Sequence, residues 1–284
     1  MFFNLLVLCK KKALLSVTAL ISSLLLSACS TPAQRFDVYS HTLGFQRVIL
    51  QGSVFRHIGY INDRFADGEG LLHIYLDGDG TPWLTPGIVA ADPTPRKTLV
   101  LNLMAQDGAP SLYLGRPCYH GFSQPPCSPL LWTARRYSPE VVASMAAALR
   151  NVLDRSAYSG IVLIGYSGGG ALAMLLAERD DRTRMIVTVA GNLDHEQWTG
   201  MHNYSPLTGS LNPARRAPLS DKIAQLHLIG SQDNNIDPAV VESVVKKQSY
   251  ATLLKIIENY NHNCCWETTW QQTLNEVGQL LRAN

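Results

Sequence analysis

The chain has 284 residues, 46% of them hydrophobic, enough for one large core and in keeping with a single domain of the larger α/β kind. Its formal charge of +2 rests on Lys10, Lys11 and Lys12; without them 21 basic residues stand against 22 acidic ones, a balance of −1. That balance excludes the basic surface of a nucleic-acid binder and points to no other charged partner.

The three lysines precede residues 13–26, an apolar run broken only by Ser and Thr. A charged segment followed by a short apolar one is the pattern of an export signal, and the run is too short for a good membrane span. It ends in Leu26-Ser27-Ala28-Cys29, which resembles the bacterial lipoprotein box. The resemblance implies a signal peptide over residues 1–28 and a lipid on Cys29. Residues 29–64 then form a tether with short antiparallel strands. An ordinary secretory signal or an uncleaved anchor is the other reading. A lipid anchor of two or three chains holds a protein stably at a membrane. The expected place is therefore the bacterial cell envelope, at the periplasmic face of the outer membrane.

Export changes how the cysteines read. Cys118, Cys127, Cys264 and Cys265 allow three pairings in an oxidising compartment. Cys118 with Cys127 closes a small loop in the Pro-rich segment 118–129, and this pair is expected. Direct pairing of the adjacent Cys264 and Cys265 makes a rare strained ring, which leaves free thiols open. The spacing lacks the C-x-x-C of a zinc site.

Within 35–61, Val38-Tyr39, Val48-Ile49-Leu50 and Val54-Phe55 read as extended backbone punctuated by Gly44, Gly52 and Gly59. Residues 71–76 are continuously apolar, as in a strand buried on both faces, and stop at Asp77-Gly78-Asp79-Gly80. Residues 95–105 are ambiguous: 98–104 have the composition of a strand, while Pro95 and the Asp107-Gly108 stop suggest a helix. A strand at 111–115 follows. Ser138-Pro139-Glu140 opens a helix that continues over 141–154, with Ser as cap and Pro at its first position. Strands at 160–164, 184–190, 226–229 and 252–257 then alternate with helices at 169–179, 238–248 and 266–282. A polar stretch at 191–219 interrupts them. This alternation predicts a mostly parallel sheet with helices on both faces.

The chemistry centres on Gly165-Tyr166-Ser167-Gly168-Gly169, which follows one predicted strand and opens a helix. In that setting a G-x-S-x-G pattern makes a sharp turn that lifts its serine over the sheet edge as a nucleophile. The helix behind it aims N–H groups at the space where negative charge develops.

With this turn, Leu76-Asp77-Gly78-Asp79-Gly80, Gly115-Arg116-Pro117-Cys118 and Val189-Ala190-Gly191-Asn192-Leu193-Asp194 make the chain resemble the α/β-hydrolases over about residues 65–284. More narrowly it is similar to bacterial exported hydrolase-like proteins. The resemblance implies an α/β-hydrolase fold, loop insertions at 116–137 and 191–219 over the strand ends, and the chain order Ser, acid, His. His262, after the strand at 252–257, takes the place of the base. Asp233, after the strand at 226–229, takes that of the acid. Asp194 and Asp237 remain alternatives, although Asp237 before Pro238 also suits a helix cap. Gly168 and Asp79 are the expected oxyanion donors through their backbone N–H groups, with the Asp79 carboxylate turned away from the developing charge. The Asp-Gly-Asp-Gly loop could instead bind calcium, on thin support.

These features predict a membrane-tethered serine hydrolase, most simply a carboxylesterase acting on a small-molecule or acyl ester, with no cofactor and no metal. A peptidase or amidase with the same triad, or a non-catalytic binding lipoprotein, is the alternative. The aromatics Tyr119, Phe122, Trp132, Tyr137, Trp198 and Tyr204 either line a substrate pocket or pack their loops down.

Overall fold

The computed structural model describes residues 30–249 and 252–283. The expected signal peptide at 1–28 and the expected lipid-bearing Cys29 lie outside the described residues. The first described element is a helix, α1 (Pro32–Thr42), where Val38-Tyr39 had suggested extended backbone. Its start explains the difference. Thr31 accepts from the Gln34 N–H, the Gln34 side chain accepts from the Thr31 N–H, and Pro32 fills the first turn. This reciprocal cap outweighs two β-formers, and Phe36 is buried.

Strands β1 (Gln46–Gln51) and β2 (Arg56–Ile61) pair antiparallel. They are followed by β3 (Glu69–Leu76) and by a small separate hairpin, β4 (Trp83–Thr85) with β5 (Ile88–Val89), that sequence patterning did not reveal. The ambiguous segment is a helix, α2 (Leu99–Ala105), and leads to β6 (Ser111–Leu114). In α3 (Pro139–Leu153) the Ser138 side chain accepts from the Val141 N–H, as its Ser-Pro start predicts. The alternation then runs β7 (Ala157–Tyr166), α4 (Gly168–Leu176), β8 (Thr183–Val189), α5 (His195–Met201), β9 (Ala224–Gly230), α6 (Pro238–Val245), β10 (Thr252–Ile257) and α7 (Trp266–Ala283). Helix α5 lies within the polar stretch 191–219.

Eight strands form one sheet in the order β1-β2-β6-β3-β7-β8-β9-β10. β1 and β2 run antiparallel and the remaining six are mutually parallel. The sheet therefore begins before residue 65. Every residue of β6 and β9 is buried, as helix layers on both faces require. α2 packs with α7, and α3 with α4, against this sheet. No helix among the described residues is long and apolar enough to cross a membrane.

Register decides where the loops meet. Leu76 pairs with Gly165, Tyr166 with Val189, Val189 with Leu228, and Gly230 with Ile257. The loops that leave β3, β7, β9 and β10 thus open at the same carboxyl edge of the sheet, the usual place for ligands in such folds.

Candidate active site

Ser167 is the hinge between β7 and α4. Its backbone sits at φ 52° and ψ −120°, outside the ordinary regions for an L-residue and held there by neighbours. Its N–H donates to the Val189 carbonyl at 2.9 Å, and its own carbonyl accepts from Gly170 and Asn192 N–H groups at 2.9 Å each. The turn is tight enough that a Cβ on Gly165 would fall on the Gly169 carbonyl, and one on Gly169 would fall on that of Leu76. Glycine at both places is a steric requirement.

Asp233, in the turn after β9, has a fully buried side chain. Its Oδ1 accepts from the N–H groups of Asn235 at 2.9 Å and Ile236 at 2.8 Å. Its Oδ2 lies 2.9 Å from His262 Nδ1. His262, in the loop after β10, places Nε2 3.0 Å from Ser167 Oγ. His262 is steadied from behind: Tyr166 OH donates to its carbonyl at 3.1 Å, Trp266 Nε1–H donates to it at 3.2 Å, and the Tyr166 ring lies 5.2 Å from the imidazole. Asn235 Nδ2 also reaches His262 Nε2, at 3.0 Å.

The other acid candidates are engaged elsewhere. Asp194 accepts from the N–H groups of Glu196 and Gln197 at the start of α5 and from Asn212 Nδ2. Asp237 caps α6 through the Ala239 N–H. Neither is bonded to His262. His227 points within the sheet, 2.8 Å from Thr188 Oγ1, and burial lowers its pKa to about 4. His195 stacks on Tyr137 and His202 on Tyr204.

The 77–80 loop lies against Ser167, close enough that a Cβ on Gly78 would sit 3.4 Å from the Ser167 Cβ. Burial pushes the Asp77 carboxyl up to about 7, against the opposing pull of the Gly78 N–H, Arg116 and the Tyr113 hydroxyl. The Asp79 side chain packs beside Gly168 and is bound by buried donors. Its Oδ1 occupies the space a Cβ on Gly168 would need. Arg136 Nη1 at 2.6 Å, Arg116 Nη2 at 2.9 Å and Tyr137 OH at 2.6 Å all donate to this carboxylate. Burial favours its protonated form, but Arg136 and Arg116 outweigh that and hold it at about 2. Two buried guanidiniums against one carboxylate leave this corner net positive beside the first N–H groups of α4, which have no intrahelical acceptor. The Asp79 carboxylate is thus neutralised by its own donors, and the corner keeps a positive potential.

The 116–137 insertion is pinned by a Cys118–Cys127 disulfide, as expected, with Cα atoms 5.5 Å apart. Cys264 and Cys265 are paired with each other, where free thiols had been left open. Tyr119, Trp132 and Tyr137 are buried and pack the insertion down. Tyr119 and Tyr137 additionally bond Asp79 through their hydroxyls. Among the described residues no group of three or more His, Cys, Asp or Glu side chains is arranged to hold a metal ion. Arg136 and Asn235 reach the site by tertiary packing, and sequence reasoning gave neither a role there; Tyr137 was read only as an aromatic lining a pocket or packing its loop, and Tyr166 only as part of the Ser167 turn. Arg116 carried a weak signal, as part of Gly115-Arg116-Pro117-Cys118.

The sequence matches no protein-family model and no curated protein. Solved structures are similar. An esterase of Pyrococcus furiosus superposes with a TM-score of 0.59 at 13% identity, over 86% of this chain and 92% of that one. An esterase/lipase from an uncultured bacterium gives 0.55 at 13% identity, over 90% and 92%. Puromycin hydrolase gives 0.62 at 15% identity, over 85% of this chain but 39% of that longer one. With its strand order and the strand–turn–helix at Ser167, these likenesses show that the chain has the α/β-hydrolase fold.

Proposed function

We propose that this chain is a serine hydrolase that cleaves a carboxylic ester through an acyl-enzyme. The observation that carries the reading is the hydrogen-bonded series from Asp233 Oδ2 to His262 Nδ1 and from His262 Nε2 to Ser167 Oγ, at 2.9 and 3.0 Å. A serine hydroxyl is a weak nucleophile until a base takes its proton, and the base works best when a carboxylate fixes its tautomer. His262 Nε2 takes the Ser167 proton as Oγ bonds to the acyl carbon. The carbonyl electron pair moves onto oxygen, facing the N–H groups of Gly168 and Asp79 and the positive corner behind them. The bond to the alcohol oxygen then breaks, and His262 gives its proton to the departing alcohol. Water enters, loses a proton to His262 and attacks the acyl carbon. Ser167 leaves the acid product and recovers its proton. Ester chemistry is favoured by the likeness to the two esterases.

The lipoprotein-like Leu26-Ser27-Ala28-Cys29 supports a further part of the proposal, a tether to a membrane face through a lipid on Cys29. Mass analysis of the N-terminal peptide from cells tests the tether. Cys29 carrying two or three acyl chains is the expected outcome, and an unmodified terminus there counts against it. The activity is tested with short p-nitrophenyl esters. Wild-type protein should hydrolyse them, and Ser167→Ala and His262→Ala should each lose at least about a thousandfold in kcat. Undiminished hydrolysis by folded Ser167→Ala would refute the assignment.

A further inference from the structure

His262 Nε2 has two partners. Its other nitrogen faces the Asp233 carboxylate at 2.9 Å, so Nδ1 carries the hydrogen and Nε2 offers one in-plane lone pair. Toward that single lone pair point the Ser167 hydroxyl at 3.0 Å and the Asn235 amide nitrogen at 3.0 Å. The far end of the same amide is held as well: Trp198 Nε1–H donates to Asn235 Oδ1 at 3.4 Å. An indole N–H can only donate, so it selects the amide oxygen and leaves the NH2 group facing the base. The backbone of Asn235 is fixed by His202 Nε2 on its carbonyl at 2.8 Å and by Asp233 Oδ1 on its N–H at 2.9 Å. Trp198, His202 and Tyr204 form one aromatic group on the 191–219 insertion, with ring centroids 5.2 to 5.9 Å apart.

From this geometry we infer that Asn235 is a positioning residue that couples the protonation of His262 to the Trp198 group. The inference rests on the hydrolase reading above. In the resting site the amide shares the lone pair that must receive the Ser167 proton. Once Nε2 holds that proton, an N–H of Asn235 faces an N–H of the imidazolium, which is repulsive. Rotation of the amide about its last side-chain bond replaces the clash with Oδ1 accepting from Nε2–H, a charge-assisted hydrogen bond. The same rotation takes Oδ1 away from Trp198. Formation of the imidazolium and release of the indole are therefore one event, and the insertion senses each catalytic proton transfer. Asp233 and the Tyr166 ring are the other groups against the imidazole.

n-Butylboronic acid tests this. Boron accepts the Ser167 Oγ lone pair, the Oγ proton moves to His262 Nε2, and a tetrahedral boronate stands beside an imidazolium with no bond of the acid broken. Tryptophan emission of the wild-type protein should change on boronate binding. The change should be absent in Trp198→Phe and in Asn235→Leu. Kinetics supply the second readout. Trp198→Phe removes the bond that rotation must break, so kcat on p-nitrophenyl butyrate should rise about threefold with KM unchanged. In an Asn235→Leu background the same substitution should have no effect on kcat. Boronate binding and ester hydrolysis without a Trp198-dependent emission change would overturn the coupling alone, and so would equal effects of Trp198→Phe in both backgrounds. Absence of both boronate binding and hydrolysis would overturn the hydrolase reading, and this inference with it.

Discussion

A carboxylate beside a forming oxyanion is a liability: two like charges 4 Å apart repel by about 4 kcal/mol at an effective dielectric of about 20. Asp79 escapes this because Arg116 and Arg136 both bind it, so the group as a whole attracts negative charge. Other buried ionisable residues set how stability responds to pH. Burial lowers His57 to about 4, His227 to about 4 and His120 to about 3, partly offset for His57 by the Gly115 carbonyl and for His120 by Asp92. Their folded pKa values lie below the unfolded value of about 6.5. The unfolded chain therefore binds protons that the folded chain refuses as pH falls from about 6.5 to about 4, and stability is lost across that window. Each imidazole contributes on the order of 3 kcal/mol at its acid end. Asp77, raised to about 7, acts with the opposite sign, but it is one group against three. Thermal melts should show Tm falling from pH 6.5 to 4, with a smaller fall in His227→Gln. A flat Tm would contradict the assignment of neutral buried histidines.

At the scale of elements, the two rejected acid candidates are helix caps. Replacing a capping Asp by Ala costs about 1 kcal/mol of stability. Asp194→Ala and Asp237→Ala should each lower stability by that order and leave ester hydrolysis within about threefold of wild type. Asp233→Asn should instead lower kcat by about 10⁴ through loss of the imidazole tautomer. A loss of hydrolysis in Asp194→Ala as deep as in Asp233→Asn would move the acid. The contrast also marks what one sequence makes legible. Strands β3, β7, β8 and β9 announce themselves by largely apolar runs, because both of their faces are covered. The Ser138-Pro139 cap and the Ser167 turn are local chemistry and read directly. Helix α1 was missed because Val38-Tyr39 outweighed a Thr31–Gln34 cap that spans only four residues. The β4–β5 hairpin is too short for any period to register. Asp233 and His262 were legible from their order after successive strands. Arg136 and Asn235 were not, because each meets its partner across 27 or more residues of chain with no local pattern to mark it.

For the whole molecule, the parallel register is what turns dispersed residues into a site. Ser167 leaves β7, Asp233 leaves β9 and His262 leaves β10, and aligned strand ends bring them together at one edge. The chain's likeness to esterases at 13% identity shows how much of this architecture survives with little sequence in common. The most direct test of the central claim is to treat the folded protein with a fluorophosphonate and map the adduct by mass spectrometry. One phosphonyl group on Ser167 is predicted, with no labelling of Ser167→Ala or of the unfolded chain, and much slower labelling of His262→Ala. A wild-type protein that stays unlabelled, or carries the label on another residue, would contradict Ser167 as the nucleophile.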